Sequence, residues 1–154
     1  MNKIYFLIFL ILVSCGTSKS LHHKPQLEGC NATIPVVEKH SNTAFKCGNN
    51  FLVKNKQNLW ELYVEGDALE RGLVTGALTD SLLKKQERIF FSKISEIVPS
   101  KSKQRLLREF LKWYNRKLYL NVAEEYKTEI YGISEYTSHK FDYIAPRYLR
   151  SLYL

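Results

Sequence analysis

An unbroken apolar run from Ile4 to Val13 opens the chain and is followed by Ser14-Cys15-Gly16. From Gly16 to about Asn50, Ser, Thr, Asn, Lys and Pro dominate without a sustained period, so this stretch reads as a tether into a fold that starts near Phe51. Phe51-Leu52-Val53 and Leu59-Trp60-Glu61-Leu62-Tyr63-Val64 flank the polar Lys54-Asn55-Lys56-Gln57-Asn58, which predicts two short strands joined by a turn. Beyond Gly66 the period lengthens. Leu69, Leu73, Ala77, Leu83, Phe90, Ile94 and Ile97 keep approximate helical spacing up to Pro99, with an inward carboxylate or a break expected at Asp80. Asp67 is placed to cap that helix, and Glu70 completes an arrangement like a capping box. A second helix, capped by Ser100 or Ser102, has Leu106, Leu107, Phe110, Leu111, Tyr114 and Leu118 as its apolar face. A third begins near Val122 and carries Tyr126, Ile130, Ile133 and Tyr136. Pro146 allows a further helix to start within the aromatic tail from Phe141 to Leu154. The pattern predicts a mainly α fold with a short N-terminal β-hairpin.

Ten apolar residues are too few to cross a hydrocarbon layer of about 30 Å, which needs around 20 in a helix, so Ile4–Val13 reads as the core of a signal peptide spanning 1–14. Leu12-Val13-Ser14-Cys15 resembles a bacterial lipobox, which implies a lipid on Cys15 and cleavage before it. The expected organisation is therefore signal peptide 1–14, tether 15–50 and folded segment 51–154. No Asp follows Cys15, so by the same resemblance the lipid-anchored protein is expected on the outer membrane, facing the periplasm. Cys30 and Cys47 remain, and an exported compartment permits either a disulfide or two unpaired thiols.

At 154 residues with 45% hydrophobic and 13% aromatic residues, the chain suits one domain, or a piece of one, and excludes collagen-like or generally disordered classes. Its close on Leu154, without solvating polar residues, reads as cut short. The net charge of +8 is localised: Lys84 to Lys117 holds eleven Lys and Arg against three Glu, and the rest balances. Basic residues interleaved with Phe90, Phe91, Trp113 and Tyr114 raise the question of nucleic acid. The aromatics nevertheless fall on the apolar stripe, as on a solvated helix with a buried face, and the export signal argues against a nucleic-acid partner. A membrane surface suits the basic stretch better.

Candidate chemistry is sparse. His22, His23, His40 and His139 have no ligand set at zinc spacing, and nucleophile-elbow and phosphate-cradling loops are absent, so neither metal nor cofactor nor catalytic constellation is expected. The informative stretch runs from Glu65 to Leu78. Gly66, Gly72 and Gly76 cluster around a helix start, where each helical Gly costs about 1 kcal/mol against Ala, so close approach of a strand, another helix or a ligand is expected to offset them.

Here the chain resembles the acyl-coenzyme A:6-aminopenicillanic acid acyltransferase-like family of N-terminal-nucleophile hydrolases. Gly66, Glu70, Gly72 and Gly76 match a pattern that follows an early strand in such chains, while Ala68, Leu69 and Thr75 stand where Pro, Tyr and His are common. Trp113-Tyr114-Asn115 and the run Glu124-Glu125-Tyr126-Lys127, Glu129-Ile130 and Gly132 are similar to the helices that precede the family's nucleophile. The resemblance covers roughly 51–154. It implies a fragment of an αββα fold and a proenzyme that cleaves itself before a cysteine. The exposed thiol then attacks an amide or thioester with its own α-amino group as base. Gly29-Cys30 looks like such a junction, but it precedes the strand and glycine motif instead of following the helices.

The resemblance thus implies the N-terminal part of an exported acyltransferase or amide hydrolase that lacks its nucleophile. Its partners would be membrane lipid through Cys15 and the missing C-terminal part. The alternative is a non-enzymatic envelope lipoprotein whose basic helices bind a membrane or a protein partner.

Overall fold

The computed structural model describes residues 22–27 and 33–153. Four antiparallel strands come first, in sequential order across one sheet: β1 (Glu38–Ser41), β2 (Ala44–Cys47), β3 (Asn50–Lys54) and β4 (Trp60–Tyr63). β3 and β4 are the expected hairpin, paired Leu52 to Leu62 and Val53 to Glu61. Their turn is held by Asn55, whose Oδ1 accepts from Leu59 N at 3.0 Å and whose amide donates to Glu61 Oε1 at 2.7 Å. The sheet begins earlier than the tether reading allows, because β1 and β2 lie inside 15–50. β2 pairs with β3 through a tight turn at Gly48-Asn49, where Gly48 has φ +59°. Left-handed backbone of this kind suits a hairpin turn and favours glycine.

Helix α1 (Ala68–Ile97) is continuous over 30 residues. No break occurs at Asp80, which is half-buried and reaches Lys84 Nζ at 2.6 Å. Asp67 is the N-cap, its Oδ1 accepting from Glu70 N at 2.9 Å. Then come α2 (Lys101–Tyr114, N-cap Ser100), a 3₁₀ turn (Leu118–Asn121), α3 (Glu124–Ser134), a second 3₁₀ turn (His139–Phe141) and α4 (Arg147–Tyr153). The architecture is a four-stranded antiparallel sheet followed by helices, mainly α by content.

α1 occupies the middle. Val74 and Leu78 pack on Leu52 of the sheet, with Val37, Phe45, Trp60 and Val64 closing around them. On its other side lies α3, and beyond it α4 buries Tyr148, Leu149 and Leu152 against Leu118, Val122, Ile130 and Tyr131 in a second core. The expected apolar faces are only partly used. On α1, Ile97 is exposed. On α3, Thr128, Gly132 and Ser134 turn inward while Tyr126 faces solvent. α2 differs most: the sequence reading gave it a buried apolar face, yet none of its residues is buried.

Cys15, Cys30 and the signal segment 1–14 lie outside the described residues. Among the described residues no helix is long and apolar enough to cross a membrane.

Candidate functional site

The glycine-rich stretch forms the junction between sheet and helix. Gly66 has φ +118°, a conformation that L side chains rarely adopt, and a Cβ there would also meet the Glu70 carboxylate at 2.5 Å. Glu65, just before it, is fixed from three sides. Its backbone N donates to Asn50 Oδ1 at 2.6 Å, and its carboxylate accepts from Asn49 Nδ2 at 2.8 Å and from the Tyr63 hydroxyl at 2.9 Å. Those two donors hold its carboxyl below the usual carboxylate range.

One turn into α1, Gly72 lies against the backbone carbonyl of Glu129, and Gly132 of α3 lies against the backbone of α1 in return. A Cβ on Gly132 would be 2.7 Å from Leu73 N and 2.8 Å from Gly72 C. Gly76, a turn further, leaves room for the Tyr136 ring. The glycines therefore serve helix–helix approach, one of the expected uses. Backbone-to-backbone packing of this closeness offsets their low helix propensity.

Arg71 ties the same crossing together. Its guanidinium donates to Glu125 Oε1 at 2.7 Å, to Glu129 Oε2 at 3.0 Å and to the Gly66 carbonyl at 3.0 Å. The carboxylates of Glu125 and Glu129 raise its pKa above the ordinary arginine value. Thus Gly66, Gly72, Gly76, Arg71, Glu125, Glu129 and Gly132 form one unit. Glu70 stays exposed over Gly66. The arrangement positions backbone rigidly and holds no nucleophile.

Two further constellations gave no signal in the sequence. Arg150 and Glu87 form an ion pair whose side chains are 2% and 4% exposed. Arg150 also donates to Asp142 Oδ1 at 2.8 Å and to the carbonyls of Ala145 and Ser138, while Glu87 Oε2 accepts from Ser138 N. The Arg150 bond holds the Asp142 carboxyl below its usual range. Because Glu87 lies within a run of charged residues, nothing in its spacing distinguishes it from a solvated glutamate. The second constellation surrounds His23, whose ring stacks on Tyr119 with centroids 4.1 Å apart. Nearby, Gln26 N donates to Glu124 Oε1 at 2.6 Å, and Glu124 also pairs with Lys127. Burial, then the Lys127 charge, pushes the His23 imidazole below its usual pKa. Burial pushes the neighbouring Tyr148 phenol up to about 12.

A cleft of about 500 Å³ lies between the C-terminal half of α1, α2 and the segment leading into α4. Phe91, Ile94, Leu107, Leu111 and Ile144 form its apolar wall, and Lys101, Arg105, Arg108 and Lys112 contribute cations. Cys47 lies half-buried on β2, outside any disulfide among the described residues. No group of three or more His, Cys, Asp or Glu suited to hold a metal ion occurs among the described residues. No protein-family model, curated protein or solved structure matches the chain.

Proposed function

We propose that the chain is the leading segment of an exported acyltransferase or amide hydrolase of the N-terminal-nucleophile type, lacking the nucleophile and inactive alone. The observation that supports this reading is the crossing of α1 and α3. The resemblance rests on two separate stretches, one around Gly66–Gly76 and one around Glu124–Gly132. They meet backbone to backbone at Gly72 and Gly132 and through Arg71 to Glu125 and Glu129. Residues that match a family pattern only by accident have no reason to be one another's neighbours. The sheet adds to this, since among the described residues β4 pairs on one side only, and its Leu62 and Tyr63 are exposed. An open edge of this kind is a ready acceptor for strands from later sequence.

In the chemistry proposed, a cysteine freed by self-cleavage follows the helices. Its thiol sulfur attacks the carbonyl carbon of an amide or thioester, and the thiol proton passes to the cysteine's own α-amino group. An amine with pKa of about 7.7–8.0 is suited to accept it and return it to the leaving group. Backbone donors would stabilise the tetrahedral oxyanion. Cys15, Cys30 and Cys47 all precede β4 and the glycine motif, so none occupies that position in chain order. Cys15 instead carries the lipid that holds the protein on the outer membrane, facing the periplasm.

Reading the DNA beyond codon 154 tests the proposal. A continuation, in frame or shifted, that contains a cysteine-led cleavage junction is the expected result. A stop codon followed by unrelated sequence overturns it.

A further inference from the structure

Helix α2 combines three features that the rest of the molecule leaves unexplained. First, its apolar residues are not used by either core. Leu106 is 73% exposed, Phe110 53% and Tyr114 68%, and the helix stands over the cleft instead of packing into a core. Second, these residues are contiguous. At 100° per residue, Leu106, Phe110, Trp113 and Tyr114 fall on one outward stripe, and the Phe110 ring lies 6.1 Å from that of Trp113 and 6.0 Å from that of Tyr114. Third, the helix that carries the stripe has an excess of positive charge. The helix holds five Lys and Arg and one Glu, and that Glu, Glu109, is already engaged by Arg108 at 3.0 Å and Lys112 at 3.3 Å. Lys101, Lys103 and Arg105 have no acidic partner among the described residues. Arg116, just past the helix, lies over the Trp113 ring at 4.5 Å.

We propose that α2 is a membrane-seating helix that lies in the plane of an anionic bilayer. Leu106, Phe110, Trp113 and Tyr114 enter the boundary between head groups and acyl chains, Lys103 on the same side reaches the lipid phosphates, and Lys101 and Arg105, exposed on the cleft side, add to the positive field that draws the helix to them. A short helix with aromatic and leucine residues on one side and cations around them has the composition of an in-plane interfacial segment. Tryptophan and tyrosine favour that depth because one end of each ring is apolar and the other polar. A protein partner would meet the same apolar stripe, but three cations without partners are complementary to a surface of repeated anionic head groups. Anchoring at Cys15 would raise the local concentration of α2 at such a surface, although the inference needs neither the anchor nor the enzyme reading.

The test uses the mature chain from residue 15, carrying Cys15→Ser so that no acyl chain is attached, and Trp60→Phe so that Trp113 is its sole tryptophan. Vesicles of phosphatidylcholine with a phosphatidylglycerol fraction are compared with phosphatidylcholine alone. The expected result is co-sedimentation with the anionic vesicles, a blue shift of Trp113 fluorescence, and binding at least tenfold weaker to the neutral vesicles or at high salt. Leu106→Ser with Phe110→Ser should reduce binding at least tenfold, and Lys101→Gln with Lys103→Gln and Arg105→Gln should do the same. Both variants should retain the parent's circular dichroism and unfolding midpoint, since these residues are exposed. Equal binding to neutral vesicles overturns the proposal, as does binding that survives both variants. Absence of binding in a folded chain also overturns it, as does self-association abolished by Phe110→Ser, which would assign the stripe to a second copy.

Discussion

A methyl group at Gly132 sets two opposing effects against each other. Helix propensity favours Ala over Gly by about 1 kcal/mol. The added Cβ, however, would stand 2.7 Å from Leu73 N and 2.9 Å from Leu69 O, backbone atoms that cannot swing aside. Overpacking of that kind costs about 1–3 kcal/mol, so Gly132→Ala should destabilise despite the better helix former, as a lower urea midpoint would report. Arg150→Met should cost more, about 3–5 kcal/mol, because it leaves Glu87 buried without its cation. Adding Glu87→Met should recover part of that loss in the same urea titration. His23 supplies a pH dependence. Its imidazole titrates below the usual value of about 6.5, so the folded state binds fewer protons than the unfolded chain between that value and its own lowered pKa. The seating of residues 22–27 beside Glu124 and Lys127 should therefore weaken as pH falls below about 6.5. Exchange of the Gln26 amide, followed across this range, checks it, and His23→Gln should remove the dependence. Of these residues only Gly132 stands out in the sequence. A Gly inside a helical pattern calls for a reason, whereas a glutamate in a charged run or a histidine in a polar stretch does not.

Elements were legible where a period or a cap marked them. Asp67, Pro99 and Pro146 bound the helices as the sequence predicts, and the polar run 54–58 ends β3 at Lys54 and supplies most of the turn into β4. β1 carries no such mark, because Glu38-Lys39-His40-Ser41 has no apolar alternation and its pairing is dictated by the strand beside it. α3 is legible only in part, for a related reason. Close approach to α1 needs small residues at the crossing, so Thr128, Gly132 and Ser134 are buried where an apolar stripe would be looked for. The stripe on α2 is legible as a pattern, but it covers no core. With no buried residue, α2 has few tertiary interactions to slow its opening, so its amides should exchange far faster than those of α1 between Gly72 and Leu78. Native-state hydrogen exchange followed by mass spectrometry reports the two helices separately. Equal protection would contradict the unpacked description.

The whole molecule joins two small cores through α1, with the sheet on one side and α3 with α4 on the other. Composition made a folded unit legible and charge counting located the basic region, but neither predicted that this region would leave an apolar stripe outside. Among the described residues β4 leaves one edge of the sheet open, and α1 and α3 cross closely at their glycines. The proposed acyltransferase origin is directly measurable. The decisive measurement is the intact mass and N-terminal sequence of the product when this segment is expressed together with the coding sequence that follows codon 154. Two polypeptides, the second beginning with cysteine, are the predicted result, with acyl-amide or thioester turnover appearing only after cleavage. A product that stays uncleaved and inactive, although folded, would contradict the assignment to N-terminal-nucleophile chemistry.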